Sequence, residues 1–253
     1  MISISALALL AFAAFCAGLV DAIAGGGGLI TVPSLLALGL PPHLALGTNK
    51  GQAVFGAISS AVSFWRRDGI DRARAPIAFA CGFGGSILGA LGQLALEPRV
   101  LRPVVLALLI AAAIVVAWPR KVDPQKHAGL AHAALYGAIA SLALGTYDGF
   151  FGPGTGTLLI VAFVLIFGES LTRASGNAKV VNLASNLAAV SLFAYRGTIV
   201  WPVALPMAAA NALGAYVGTH LAVKRGDRFV RLVVLVVVAA LVVKLAYDTY
   251  DAR

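Results

Sequence analysis

Charge is scarce in this chain: Asp, Glu, Lys and Arg together supply 11% of its 253 residues. A soluble domain carries about a quarter, so a water-facing globular fold is a poor reading from the start. Acidic residues are the scarcer sign, ten against nineteen Lys and Arg, which leaves a formal net charge of +9. Only two cysteines occur, Cys16 and Cys81, both in apolar stretches. Two isolated cysteines make neither a disulfide framework nor a metal site, and they read as small buried residues. His43, His127, His132 and His220 are scattered without metal-ligand spacing. No nucleophile–base pair is visible either, so no catalytic residue, metal or cofactor is expected. The basic residues lack interleaved aromatics, which argues against a nucleic-acid partner.

What the chain has in quantity is apolar sequence, 60% of all residues, with a mean hydropathy of +0.93. Val104–Trp118 and Leu232–Val243 carry no charge at all. Ala, Gly and Leu dominate such runs, and small residues let helices approach closely in lipid. The first run, Ile4–Val20, lacks a basic region before it and a small-residue cleavage pattern after it. It is expected to be a retained first helix rather than a signal peptide.

Internal repetition organises these runs. At an offset of 129 residues, Ala45, Gly47 and Lys50 fall on Ala174, Gly176 and Lys179. Phe64 and Arg67 fall on Phe193 and Arg196, Gly85 and Gly89 on Gly214 and Gly218, Arg99 and Arg102 on Arg228 and Arg231. An offset of 127 pairs Asp21, Gly25 and Gly27 with Asp148, Gly152 and Gly154. The expectation is an all-α polytopic membrane protein of two repeats, residues 1–127 and 128–253, forming one transmembrane domain. Each half reads as five segments: 3–23, 29–40, 43–65, 73–96 and 99–118, then 129–148, 156–168, 172–195, 199–223 and 228–247. Crossing the hydrocarbon core takes about 20 helical residues. The second segment of each half is too short and reads as a broken or re-entrant half-helix.

Charge sets the expected orientation. The linkers Arg66–Arg74, Arg120–Lys126 and Lys224–Arg231 hold eleven of the nineteen basic residues. If each segment reverses direction, all three fall on one side, which the positive-inside rule makes cytoplasmic. Both termini are then extracytoplasmic. Five segments per half also require the two repeats to be inverted, an arrangement that marks transporters.

Two pairs of motifs carry the chemistry. Asp21-Ala-Ile-Ala is followed by four glycines, Gly25, Gly26, Gly27 and Gly28. Each glycine in a helix interior costs about 1 kcal/mol relative to alanine, so the helix is expected to break here. Inside a membrane such backbone is tolerated only where protein buries it or it lines a cavity. Its N–H groups and the following helix N-terminus would suit an anion. Tyr147-Asp148-Gly149 with Gly152, Gly154, Thr155 and Gly156 occupies the matching place. Close packing or a hinge is the competing reading. The second pair opens the third segment of each half: Gly47-Thr48-Asn49-Lys50 and Gly176-Asn177-Ala178-Lys179. Amide and ammonium groups are donors suited to oxyanions, and an intramembrane cation is a functional candidate by default. Alternatively each lysine snorkels or pairs with Asp21, Asp148 or Glu169. Gly-Thr-Asn-Lys is not a P-loop, since no glycine-rich strand-to-helix turn precedes it. Asn182 and Asn186 share one helix face, lining the cavity or bonding between helices. Asp21 and Asp148 are candidates for a proton relay or a coupling cation, or cap the broken helices.

These motifs, with Phe64-Trp-Arg-Arg-Asp-Gly-Ile-Asp71, resemble the TauE/SafE sulfite-exporter family of membrane permeases over nearly the whole chain. The resemblance implies a multi-pass bacterial or archaeal inner-membrane protein that transports sulfite, sulfonates or related small sulfur-containing anions, and an inside-negative potential would drive their export. The expected function is therefore secondary transport, with an anion channel or a membrane-embedded enzyme as alternatives. Expected partners are the small anion and membrane lipid. A homodimer is left open.

Overall fold

The computed structural model describes residues 3–117 and 132–251. The linker Arg120–Lys126 and the boundary between residues 127 and 128 lie outside them. All regular structure among the described residues is helical: α1 (Ile4–Ala24), α2 (Gly28–Ala37), α3 (Pro42–Trp65), α4 (Ala75–Ala95), α5 (Pro98–Ala117), α6 (Ala133–Phe150), α7 (Thr155–Phe167), α8 (Leu171–Tyr195) and α9 (Trp201–Asp251). Gly226, at φ 66° and ψ −163°, kinks α9 into two arms. That kink falls between the ninth and tenth segments read from the sequence.

Local chemistry sets the helix ends. Ser3 caps α1 by accepting the Ala6 N–H at 3.2 Å. Ser170 caps α8 through the Arg173 N–H at 3.3 Å, and Pro42 opens α3 at a position where no N–H is needed. Gly25, at φ 72° and ψ 160°, stops α1 in a conformation that a side chain would oppose. The short helix α2 covers residues 28–37, three residues short of its expected end, because Gly39 at φ 86° turns the chain.

Among the described residues, three helices, α1, α4 and α8, are long and apolar enough to cross a membrane. Leu9, Phe12, Leu88, Ile139 and Leu213 stand exposed on the outside, as a lipid-facing surface requires. Inside, glycines bring helices into backbone contact. A Cβ on Gly214 would lie 2.0 Å from the Phe15 carbonyl oxygen, and one on Gly218 2.4 Å from that of Leu19. So α1 and the first arm of α9 run parallel. Gly85 against Leu142 and Gly89 against Thr146 show the same for α4 and α6. Gly51 beside Ala204 and Gly56 beside Asn211 place α3 parallel to α9, and Gly82 beside Val181 with Ser86 bonded to the Ser185 carbonyl places α8 parallel to α4. The result is two three-helix groups: α1, α3 and α9 against α4, α6 and α8. They meet where α3 and α8 run antiparallel, Gly47 on Thr198 at one end and Gly176 on Gly69 at the other. The short helices α2 and α7 start at this meeting, in the middle of the protein.

Candidate functional site

The two helix breaks touch. A Cβ on Gly25 would sit 2.2 Å from the carbonyl carbon of Gly156, and one on Gly28 3.1 Å from the Cα of Pro153. No side chain fits between the breaks, so glycine is required at Gly25 by both its φ and its neighbour. Thr157, on α7, donates its hydroxyl to the carbonyls of Ala24 at 2.9 Å and Gly25 at 3.2 Å. Ser175, on α8, donates to Ala22 and Ile23, both at 3.2 Å. These bonds take up carbonyls that the end of α1 leaves without helical partners. At the other break the Tyr147 hydroxyl donates to Pro153 at 2.8 Å and Thr155 to Gly152 at 2.7 Å.

A cavity of about 50 Å³ opens beside the breaks. Asp21, Gly27 and Gly28 wall it from the first break; Asp148, Gly152, Thr155 and Gly156 wall it from the second. Asn49 and Lys50 come from α3, and Asn182 and Asn186 from α8. Two polar residues that sequence reasoning misses complete it, Gln52 on α3 and Asn211 on α9. A signal exists for both. Gln52 lies one helical turn beyond Asn49, and Asn211 interrupts an otherwise apolar run. Five carboxamides therefore surround the space. Asn49 accepts from Thr31 at 2.6 Å and from Gln52 at 3.1 Å. Gln52, Asn182 and Asn186 each keep a buried carboxamide oxygen without a partner, which is costly unless something fills the space.

Both lysines make ion pairs across the two groups of helices. Lys50 lies 3.0 Å from Asp148, with side chains 4% and 5% exposed. Lys179, fully buried, lies 2.9 Å from Asp21 and also donates to the Asp21 carbonyl. Only Lys50 reaches the cavity wall; Lys179 is spent on Asp21. Asp21 caps the break as well, accepting the N–H groups of Gly26 at 3.2 Å and Gly27 at 3.3 Å.

The remaining sequence candidates sit away from the cavity. Gly25 and Gly26 serve the break itself, and Gly154 is the left-handed residue before α7. Thr48 accepts the Val200 N–H at 3.0 Å. Asn177 lies at the opposite end of the α3–α8 contact. Its carboxamide donates to Glu169 at 2.8 and 3.0 Å and accepts the Asp71 N–H at 2.7 Å. Arg74 joins this cluster by pairing with Asp71 at 2.6 Å and with Glu169. Burial alone would raise the Asp71 carboxyl, but Arg74 and the backbone N–H groups of Arg74 and Ala73 hold it below its ordinary value. Thr48 and Asn177 thus each tie a helix start to the loop that ends the antiparallel partner. No cluster of His, Cys, Asp or Glu suited to a metal occurs among the described residues.

An all-helical protein with lipid-suited outer faces, and a polar cavity between two groups of helices, has the construction of a membrane transporter. The comparisons agree. The family described as Sulfite exporter TauE/SafE matches residues 10–245, and the chain belongs to that family. A "Probable membrane transporter protein" of Haemophilus influenzae is 37% identical over 247 residues, covering 98% of this chain and 97% of the relative. "Probable membrane transporter protein YfcA" of Escherichia coli K12 is 35% identical over 250 residues, 99% and 93% of the two chains. "Probable membrane transporter protein ORF9" of a Sinorhizobium species is 36% identical over 244 residues, 96% and 93%. No solved structure matches the chain.

Proposed function

We propose that the protein is a secondary transporter of small sulfur-containing anions, such as sulfite or sulfonates, and that the cavity between the two helix breaks is its binding site. One observation carries the reading: a polar space between the two helix breaks with an ammonium, Lys50, and the carboxamides of Asn49, Gln52, Asn182, Asn186 and Asn211 on its wall. A desolvated anion loses its hydration, and donors such as an ammonium and the NH₂ ends of carboxamides replace it. The substrate class follows the family's description; the residues supply the charge and size requirement.

The architecture proposed with it is a pair of inverted repeats. Matching contacts support this. Gly85 and Gly89 pack on α6 as Gly214 and Gly218 pack on α1, and Thr48 with Val200 mirrors Asn177 with Asp71. The crossed Lys50–Asp148 and Lys179–Asp21 pairs obey the same relation. Rocking of one group against the other would expose the cavity to each side in turn. In this reading the membrane is the bacterial inner membrane, the Arg66–Arg74 linker is cytoplasmic and both termini are outside. An unaccompanied anion would be pushed outward by an inside-negative potential, by about 2.3 kcal/mol per charge per 100 mV, which favours export.

The test is saturable uptake by proteoliposomes of a panel holding sulfite, sulfate, sulfoacetate and thiosulfate, with binding measured on the purified protein. Counterflow of one of them supports a carrier; flux without saturation or counterflow would make the protein a channel. Binding of none overturns the anion reading. Labelling of Val122→Cys by an impermeant reagent from outside the cell overturns the orientation.

A further inference from the structure

The cavity is electrically balanced before any substrate arrives. Lys50 is matched by Asp148 at 3.0 Å, and Lys179 by Asp21 at 2.9 Å. No ammonium is in surplus on its wall, yet an anion entering a low-dielectric interior needs a compensating charge. We propose that an anion binds here only together with one proton, which settles on the carboxylate of Asp148 and releases the Lys50 ammonium to face the anion. The proposal rests on the anion reading above and specifies how the same site is charged.

The two aspartates differ in a way that selects Asp148. One oxygen of Asp21 accepts two backbone N–H groups, those of Gly26 and Gly27, and the other accepts Lys179. Backbone N–H groups can only donate, so they favour a carboxylate that stays ionised. Asp148 is held by Lys50 and by the hydroxyl of Ser185. A hydroxyl can both donate and accept. The Ser185 oxygen also lies 3.1 Å from the Asn182 carbonyl oxygen. When Asp148 gains a proton, Ser185 can turn its hydrogen to Asn182 and accept the new O–H from Asp148. The machinery for a neutral Asp148 is already in place, and none is visible for a neutral Asp21.

The remaining groups fit the exchange. Gly152, at φ +99°, leaves open the space beside the Lys50 amine, where a Cβ would come within 3.0 Å of Nζ. Gln52, Asn182 and Asn186 hold carboxamides whose oxygens are unpartnered. The Gln52 and Asn186 NH₂ groups donate to the Asn49 oxygen at 3.1 Å and the Asn182 carbonyl at 2.7 Å, and reach an anion by giving up those partners. The other charged group on the wall is Asp21, which Lys179 neutralises. Neither α4 nor α7 adds a charged residue to the wall. The balance closes: one proton from solvent joins one carboxylate oxygen, the ammonium keeps its three protons, and a singly charged anion replaces the lost negative charge. Empty and loaded cavities then carry the same charge. The membrane potential acts on neither, so the outward push on an unaccompanied anion is absent here and the direction of transport follows the combined anion and proton gradients.

Methanesulfonate is the probe, because its sulfonate stays ionised at every pH used. Binding to the purified native protein is measured by titration calorimetry at pH 5 to 8, in buffers of differing ionisation enthalpy. The expected result is uptake of one proton per anion, with affinity falling about tenfold per pH unit at the alkaline end. Asp148→Asn, which imitates the neutral acid, should bind the anion with no proton uptake and no pH slope. Native binding without proton uptake would overturn the proposal and leave the anion reading standing. So would a proton taken up by Asp148→Asn. The native measurement decides even where the variant does not fold. No binding to the native protein at any pH would overturn the anion reading itself, and this proposal with it.

Discussion

The break after α1 is held from outside, while the break before α7 is held mostly by itself. Around residues 22–27, carbonyls and N–H groups are satisfied by Thr157, Ser175, Lys179 and Asp21, three of them from the far half of the chain. Around residues 147–155 the bonds are local, Tyr147 to Pro153 and Thr155 to Gly152, with Lys50 and Ser185 reaching Asp148. Two stretches of similar sequence thus have different mechanical status. The first is a fixed post; the second keeps side chains whose partners can be exchanged.

The sharpest way to break this comparison is to remove each lysine in turn. Lys179→Gln leaves Asp21 facing an uncharged group and removes the bond to the Asp21 carbonyl. Breaking one partner of a buried ion pair costs about 3–5 kcal/mol, so this variant should show the largest fall in melting temperature. Lys50→Gln should fall less, because Lys50 holds only the Asp148 carboxylate, whereas Lys179 also holds the Asp21 carbonyl at the helix break. Its loss should appear in anion affinity instead, by more than tenfold. Equal melting temperatures with unchanged affinity in both would mean that the glycine-rich backbone, not the lysines, holds the anion.

Glycines sharpen the same contrast. At Gly25 an added Cβ meets the backbone of Gly156 and Thr157 at 2.2 Å, which cannot move aside. The backbone conformation alone costs about 1–3 kcal/mol for a non-glycine residue. At Gly152 the added Cβ meets the flexible end of Lys50 at 3.0 Å. Gly25→Ala should therefore lose folded protein on solubilisation and heating, whereas Gly152→Ala carries only the backbone strain of its φ of +99° and should fold with a lower melting temperature and lose anion affinity. A Gly152→Ala protein with native affinity would show that the space beside Lys50 is not used.

Much of this fold is legible in the amino-acid sequence alone. The apolar pattern puts α3 at 43–65 and it lies at 42–65; it puts α8 at 172–195 and that helix lies at 171–195. Capping serine, proline and glycine carry strong local signals that mark these ends. The two lysines are legible as a pair, with both the site and the ion-pair reading open. Which of them meets the cavity is not legible, because it depends on where each ammonium reaches across the two groups of helices. Lys179 lies one turn before Asn182, yet its long side chain runs to Asp21 while the Asn182 side chain lines the space. The motif around Asn177 reads as a ligand set, but Asn177 lies at the end of α8 where the loop after α3 docks. That long-range contact is one that no local pattern announces. Gln52 escapes notice because a glutamine beside Lys50 looks like an ordinary polar companion of the motif.

The ends of the α3–α8 contact give the next test. Asn177 ties the Asp71 loop to Glu169, with Arg74 bridging both acids. Asn177→Ala strands a carboxylate that is 6% exposed, together with the Asp71 N–H. Losing a bond to a buried charged group costs about 1.5–3 kcal/mol, and the melting temperature should drop accordingly. An unchanged melting temperature would show that Arg74 alone suffices to hold the loop.

The matching tie at the other end is the weakest of those compared. Thr48 contributes one hydroxyl, which accepts the Val200 N–H at 3.0 Å, and no charge takes part. Thr48→Val keeps the shape of the side chain and removes the acceptor. A single neutral hydrogen bond is worth about 0.5–1.5 kcal/mol, so the stability loss should be the smallest of the series. The interest lies in the direction of any functional change. If this neutral end opens more readily than the charged one, loosening it should speed exchange of bound anion with that side and leave affinity within about twofold, since one such bond is worth little. Hydrogen exchange at the Val200 amide, compared with the Asp71 amide in the native protein, reads the two ties directly. Faster exchange at Val200 is the expected order. Faster exchange at Asp71 would mean that the charged cluster, for all its bonds, is the looser end.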